Sequence, residues 1–163
     1  MKITAVLGVD AIEPLLDFWV GRMGFDKTVE VPHQGRLGLV ILARGGAEFM
    51  IQALAAARDD VPQLTPQAAT QAALFIEVDD FDDITRQLGR ALSRAGARCR
   101  QANVGRSPTS GRASREGRPR RRLQGYPVAL PERKTFYGMR EIGVRDPGGN
   151  AVIFAVPVPG AAA

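Results

Sequence analysis

Two short rows of side chains in this sequence have the chemistry of a ligand pocket. In Tyr137-Gly138-Met139-Arg140-Glu141, every second residue carries a phenol, a thioether or a carboxylate. In Glu48-Phe49-Met50-Ile51-Gln52, every second residue carries a carboxylate, a thioether or an amide. Alternate residues of a strand share a face. If both segments are strands, Tyr137, Met139 and Glu141 line one face and Glu48, Met50 and Gln52 line another. Mixed apolar and polar surface of this kind suits an organic molecule with a few polar groups. The same residues also read as ordinary structure: Glu141 can pair with Arg133, Arg140 or Arg145, and both methionines can be core.

Bond-making chemistry is poorly served. The only histidine, His33, lies in Pro32-His33-Gln34-Gly35, which reads as a loop, so no nucleophile–histidine pair is at hand. A single cysteine, Cys99, excludes an internal disulfide framework and a cysteine-based zinc site within one chain. Gly45-Gly46 and Gly148-Gly149 fall between strand candidates, not between a strand and a helix, so no nucleotide loop is supported. No catalytic residue, metal ligand or cofactor is expected from these residues. Arg133-Lys134-Thr135 offers an anion clamp but reads more simply as the solvated start of a strand.

The elements that must position these rows follow from periodicity. Residues 3–9 are short, apolar and β-branched and read as a strand. Ile12, Leu15, Leu16, Trp19, Val20 and Met23 form a helical stripe, with Asp10 and Glu13 at capping-box spacing and Gly24 as the left-handed stop. Strands are expected at 26–31, 36–43 and 47–53, the last two joined by a turn at Arg44-Gly45-Gly46. Residues 54–71 read as a connector with one loose helical turn. A strand at 74–78 leads to a helix capped by Asp79, with Ile84, Leu88 and Leu92 on its buried face. Strands at 126–130, 136–145 and 150–156 complete the chain, the last two joined by Asp146-Pro147-Gly148-Gly149.

Val9-Asp10-Ala11-Ile12-Glu13 and Val78-Asp79-Asp80-Phe81-Asp82 share one pattern at an offset of 78 − 9 = 69 residues. Each half reads strand–helix–strand–strand–strand, the sign of a duplicated unit. The fold class is therefore α+β: a first βαβββ module at 1–53, a connector at 54–71, a second module at 72–157 and a tail at 158–163.

Charge is unevenly spread. The chain of 163 residues carries a net +5, but residues 86–122 hold twelve arginines against one acid, Glu116, and so carry +11. The remainder carries +5 − 11 = −6. Nucleic-acid binding is thus not expected of the body. Only unspecific attraction through 86–122 is open to it, and that stretch has no aromatic residue for base stacking. Between about 97 and 122, Val104 is the only aliphatic residue larger than alanine, so a disordered basic insertion is expected there, or a stretch of altered reading frame. At 45% hydrophobic residues the chain as a whole is not a disordered one. No apolar run approaches the roughly 18 residues of a membrane span, and the first residues reach Asp10 and Glu13 without a cleavage site, so a cytoplasmic protein is expected.

The stretch Arg133–Ala155, with Tyr137-Gly138-Met139-Arg140-Glu141 followed by Asp146-Pro147-x-Gly149-Asn150, resembles the C-terminal hairpin of the vicinal-oxygen-chelate superfamily (glyoxalases, bleomycin resistance proteins and dioxygenases), above all its bleomycin-resistance branch. Ile12-Glu13-Pro14 through Gly24-Phe25 resembles the family's first helix. The resemblance covers 1–95 and 123–157. It implies two βαβββ modules whose curved mixed sheets form a cleft, commonly completed within a homodimer. It also implies where a metal ligand would stand. Three residues after Asn150 the chain has Ile153, near the start of the fifth strand it has Ala73, and the first strand has neither His nor Glu.

The function expected is a glyoxalase/bleomycin-resistance-like binding protein. It would sequester a small molecule without a metal or a reaction, in a cleft lined by Glu48, Met50, Gln52, Tyr137, Met139, Glu141 and Ile153. The acidic body suggests a cationic ligand drawn to Glu48 and Glu141. Two alternatives stay open. One is a lyase, isomerase or dioxygenase holding a metal through Glu48, Gln52 and Glu141. The other is a binder of anionic polymers acting through 86–122.

Overall fold

The computed structural model describes residues 1–69, 71–89 and 125–160. The expected insertion at 97–122 and Leu92 lie outside them. The order is β1 (Ala5–Val9), α1 (Glu13–Trp19), β2 (Asp26–His33), β3 (Arg36–Arg44), β4 (Ala47–Ala53), α2 (Leu54–Asp60), β5 (Ala73–Glu77), α3 (Phe81–Gly89), β6 (Val128–Lys134), β7 (Met139–Arg145) and β8 (Ala151–Pro157). Two four-stranded mixed sheets result, ordered β1-β4-β3-β2 and β5-β8-β7-β6. In each the first strand pairs parallel with the last, and the other neighbours are antiparallel. These are two βαβββ modules. Among the described residues no helix is long and apolar enough to cross a membrane.

The α1 stripe does what its spacing demands: Ile12, Leu15, Trp19 and Met23 are all buried. Its capping box does not form. Ile12 is the N-cap with no side-chain bond, and the Glu13 carboxylate instead accepts the backbone N–H of Leu37 at 3.1 Å. The helix is shorter than its stripe because Met23 N–H bonds back to Phe18 and Phe25 N–H to Trp19, closing the turn before Gly24 at φ +69°. Three other expectations are corrected. His33 ends β2 rather than lying in a loop; the loop is only Gln34-Gly35, both at positive φ (48° and 78°), a two-residue hairpin turn. Residues 54–60 form a true helix that buries Leu54 and Ala57. The cap of α3 is Asp80, whose Oδ1 accepts Asp83 N–H at 2.8 Å, not Asp79.

One core joins the modules, with the inward residues of both sheets and of α1 and α3 in a single cluster. Trp19 packs on Phe25 and Phe49 of its own module, and its Nε1–H donates to Asp146 of the second at 3.2 Å. Phe18 meets Tyr126 at 4.7 Å. Arg22 donates to the carbonyls of Gln87 and Leu88 at the end of α3. Because Trp19 is wholly buried, Trp19→Ala is expected to cost about 3–5 kcal/mol in urea unfolding. A loss under about 1 kcal/mol would mean the indole is not the joint between the modules.

The chain ends that flank residues 90–124 lie against each other. Tyr126 N–H donates to Leu88 O at 2.7 Å, and a carbon added to Gly125 would stand 3.1 Å from Gly89 Cα. Joined directly, Leu88-Gly89-Gly125-Tyr126 would form a four-residue β-turn whose hydrogen bond already exists. Deleting 90–124 is therefore expected to leave the circular dichroism spectrum of the fold intact and its melting temperature intact or raised, since the two flanking ends are then joined by a short connection. A variant that fails to melt cooperatively would show that the insertion supports the fold.

Candidate functional site

Each sheet has an inward face in the core and an outward face. On β4, Phe49, Ile51 and Ala53 are buried inward, while Glu48, Met50 and Gln52 are half-buried and outward. On β7 and β8, Ile142, Val144, Val152 and Phe154 are inward. Met139, Glu141 and Ile153 share the other face by alternation. The alternation read from the sequence therefore holds, with one change. Tyr137 is not in a strand but in the β6–β7 turn, where Gly138 has φ +81°.

Tyr137 nonetheless joins the row through its hydroxyl, which donates to Glu141 Oε2 at 2.9 Å. Of the three arginines able to reach Glu141, Arg133 does so. Its Nε–H and Nη2–H both meet Oε1, at 2.7 and 2.6 Å. The pairing follows from β6 lying beside β7 with Arg133 opposite Glu141. Arg140 is turned to the other face, over the Phe81 ring and onto Glu132 and Asp82. Around the cluster lie Phe75, Ile153, Gly143 and Leu130, one cross-sheet row of the outward face.

The first row differs. Glu48 accepts Lys2 Nζ at 2.7 Å and the Thr4 hydroxyl at 3.2 Å, which hold its carboxyl below the usual value, the lysine bond first. Met50 stands between Val6 and Ile41, and Gln52 opposite Leu39. The two rows belong to different sheets. Among the described residues no hydrogen bond or ion pair links them, and neither of two surface cavities, of about 550 and 580 Å³, is lined by any residue of the two rows. The expectation that Glu48 and Glu141 offer bare negative charge is revised, because each is already matched by a cation of the chain.

A divalent metal needs several converging donors. Ile153 and Ala73 bring none, and Glu141 is taken up by Arg133 and Tyr137. No group of three His, Cys, Asp or Glu converges among the described residues. The residues present do not fit the metal centre that the sequence resemblance implies. His33, half-buried, bonds to Asp59 at 2.8 Å and stands apart from both rows.

Both tyrosines of the chain have phenols pushed above the ordinary 10.0. For Tyr137 the hydrogen bond to Glu141 is the main cause; for Tyr126 it is burial, then the charge of Asp146. A phenol raised in the folded state favours folding below about pH 10 and loses that contribution as pH rises through its folded value. Ultraviolet difference titration is expected to show no tyrosine ionising at the ordinary value. In Glu141→Gln one of the two should move down, and an unchanged curve would break the Tyr137–Glu141 assignment.

No family model matches the sequence, and no curated protein matches it. Solved structures do. A glyoxalase/bleomycin resistance protein/dioxygenase from Nocardioides superposes with TM-score 0.60 at 10% identity, covering 98% of this chain and 85% of that one. TioX from Micromonospora sp. ML1 gives 0.59 at 18% identity, over 96% of this chain and 100% of that one. A lactoylglutathione lyase from Agrobacterium tumefaciens gives 0.59 at 16%, over 96% and 92%. At these identities the likeness is one of architecture: this chain shares the fold of these structures.

Proposed function

We propose that the chain is a cytoplasmic small-molecule binding protein of the bleomycin-resistance type, acting without metal and without turnover. The observation that carries this reading is the outward face of the second sheet. There the Arg133–Glu141–Tyr137 cluster stands beside apolar Ile153, Leu130, Met139 and Phe75. A few oriented polar groups on an apolar floor are what a binding surface requires. The likeness to a lactoylglutathione lyase keeps catalysis within reach of the fold. The donor set at Ile153 and Ala73 favours binding instead.

An open sheet face encloses little of a ligand, and drug-sized sites bury most of their occupant. The first module's outward face is apolar, with Val6, Val29 and Val31 exposed beside Met50 and Ile41. In this reading two chains form a C2 homodimer, so that the first-module face of one covers the second-module face of the other, a self-complementary arrangement. Glu48, Met50 and Gln52 then line the same cleft as Tyr137, Met139, Glu141 and Ile153.

The test is light scattering together with a calorimetric screen of glycopeptide antibiotics, aminoglycosides and aromatic metabolites, with and without divalent metal. A dimer at micromolar concentration and saturable, metal-insensitive binding are expected. Met50→Arg and Ile153→Arg should each abolish binding while the fold still melts cooperatively. Metal-dependent turnover would replace the binder with an enzyme, and binding by a strict monomer would remove the shared cleft.

A further inference from the structure

The ion pair at the centre of the second sheet is asymmetric in its exposure. The Glu141 side chain is 1% exposed and that of Arg133 is 56% exposed. The acid is the interior of the cluster and the guanidinium is its surface. A guanidinium has five N–H groups in a fixed fork. Two of them lie on Glu141 Oε1, which leaves three that no described residue takes up. The other members of the expected clamp are spent elsewhere. Lys134 pairs in register with Arg140, on the opposite face, and the Thr135 hydroxyl closes the turn onto Met139.

The fold does not need this pair. Register makes Val6 the counterpart of Phe75 and Met50 the counterpart of Ile153. Carried across the sheets, the same register makes Leu39 and Val31 the counterparts of Glu141 and Arg133. An apolar pair supports the first sheet at the positions where the second spends a buried carboxylate. Shielding that carboxylate behind Arg133 and Tyr137 fixes the orientation of a cation that would otherwise be a loose surface side chain. Beside it, Tyr137 is half exposed and Phe136 fully exposed, their rings edge to face at 5.0 Å. The two rings place apolar surface next to the cluster that holds the cation.

We infer that Arg133, positioned by Glu141, is the anchor for a planar aromatic carboxylate whose ring lies against Tyr137 and Phe136. The carboxylate takes the outer N–H groups of the fork, the paired geometry that guanidinium and carboxylate share. A cation is the poorer fit, because to reach Glu141 it must displace two hydrogen bonds from Arg133 and enter a position closed to solvent. Arg133 touches the ligand; Glu141 is a positioning residue. The inference rests on the small-molecule reading of this face and names its ligand class.

The experiment is calorimetry on the full chain at low salt with 2-naphthoate and with 2-naphthylmethylammonium, which has nearly the same shape and opposite charge. Naphthoate is expected to bind saturably and about tenfold or more tighter than the amine. Arg133→Gln should remove that preference and Arg133→Lys should keep part of it, both with an unchanged circular dichroism spectrum, while Arg133→Gln melts lower because the buried Glu141 loses its cation. Glu141→Gln should weaken naphthoate although it removes a negative charge, an outcome opposite to simple electrostatics. An amine that binds as tightly as naphthoate, or an Arg133→Gln variant with full naphthoate affinity, overturns the inference and leaves the small-molecule reading standing. Binding of neither probe overturns the inference, and the small-molecule reading falls with it only if the wider screen also finds no binding.

Discussion

The architecture depends on one buried carboxylate. Asp146 is 4% exposed and lies in the turn between β7 and β8. It accepts the Gly148 and Asn150 backbone N–H groups and the Asn150 side-chain amide, all within the turn, and the Trp19 indole N–H from the other module. Asn150 passes the connection on, its side-chain Oδ1 accepting Ala72 N–H just ahead of β5. A carboxylate in such a place is tolerable only because its lone pairs are met. The same bonds that satisfy it fix the turn, the start of the parallel strand and the seat of α1. The Asp-Pro-Gly-Gly-Asn run is thus not merely a turn signal. It is where the first helix is locked to the second sheet, and Gly149 at φ +85° lets the chain pass through it.

With α1, α3 and both inward faces committed to one core, the outward faces are where the modules are free to differ. Equivalent cross-strand positions hold Leu39 and Val31 on one side and Glu141 and Arg133 on the other. Cross-strand pairs of either kind can hold two strands together, so the difference is not required by pairing. It makes one face apolar and gives the other a fixed polar centre.

Much of this is legible in the amino-acid sequence itself. The helical stripe from Ile12 to Met23, the alternation on β4 and β7 and the 69-residue repeat each reflect a periodicity that burial enforces over many residues. Features that rest on one local choice were harder to read. The α2 helix has no apolar stripe, only Leu54 and Ala57 buried in an alanine-rich run. Between Asp79 and Asp80, the cap is chosen by where the β5 backbone ends. The partner of Glu141 was open among three arginines because β6 pairs with β7 through two irregularities, between Val128 and Leu130 and between Leu130 and Arg133. A one-residue slip in either sends Arg133 to the opposite face. Composition carries no trace of such bulges, so the charge state of the site could not be read from counting acids.

That last point changes how the acidity of the body bears on function. The net charge of −6 outside 86–122 is one contribution to the long-range field of a chain whose total is +5, and such a field steers encounter and is screened by salt. Selection at the surface is set by the few groups within hydrogen-bond reach, and on the second sheet the outermost of those is Arg133, not Glu141. The charge of the body and that of the anchor have opposite sign here. A body of net charge −6 can hold a cationic anchor because a buried acid costs least when it is matched by its own arginine, and that match turns the unspent edge of the guanidinium outward.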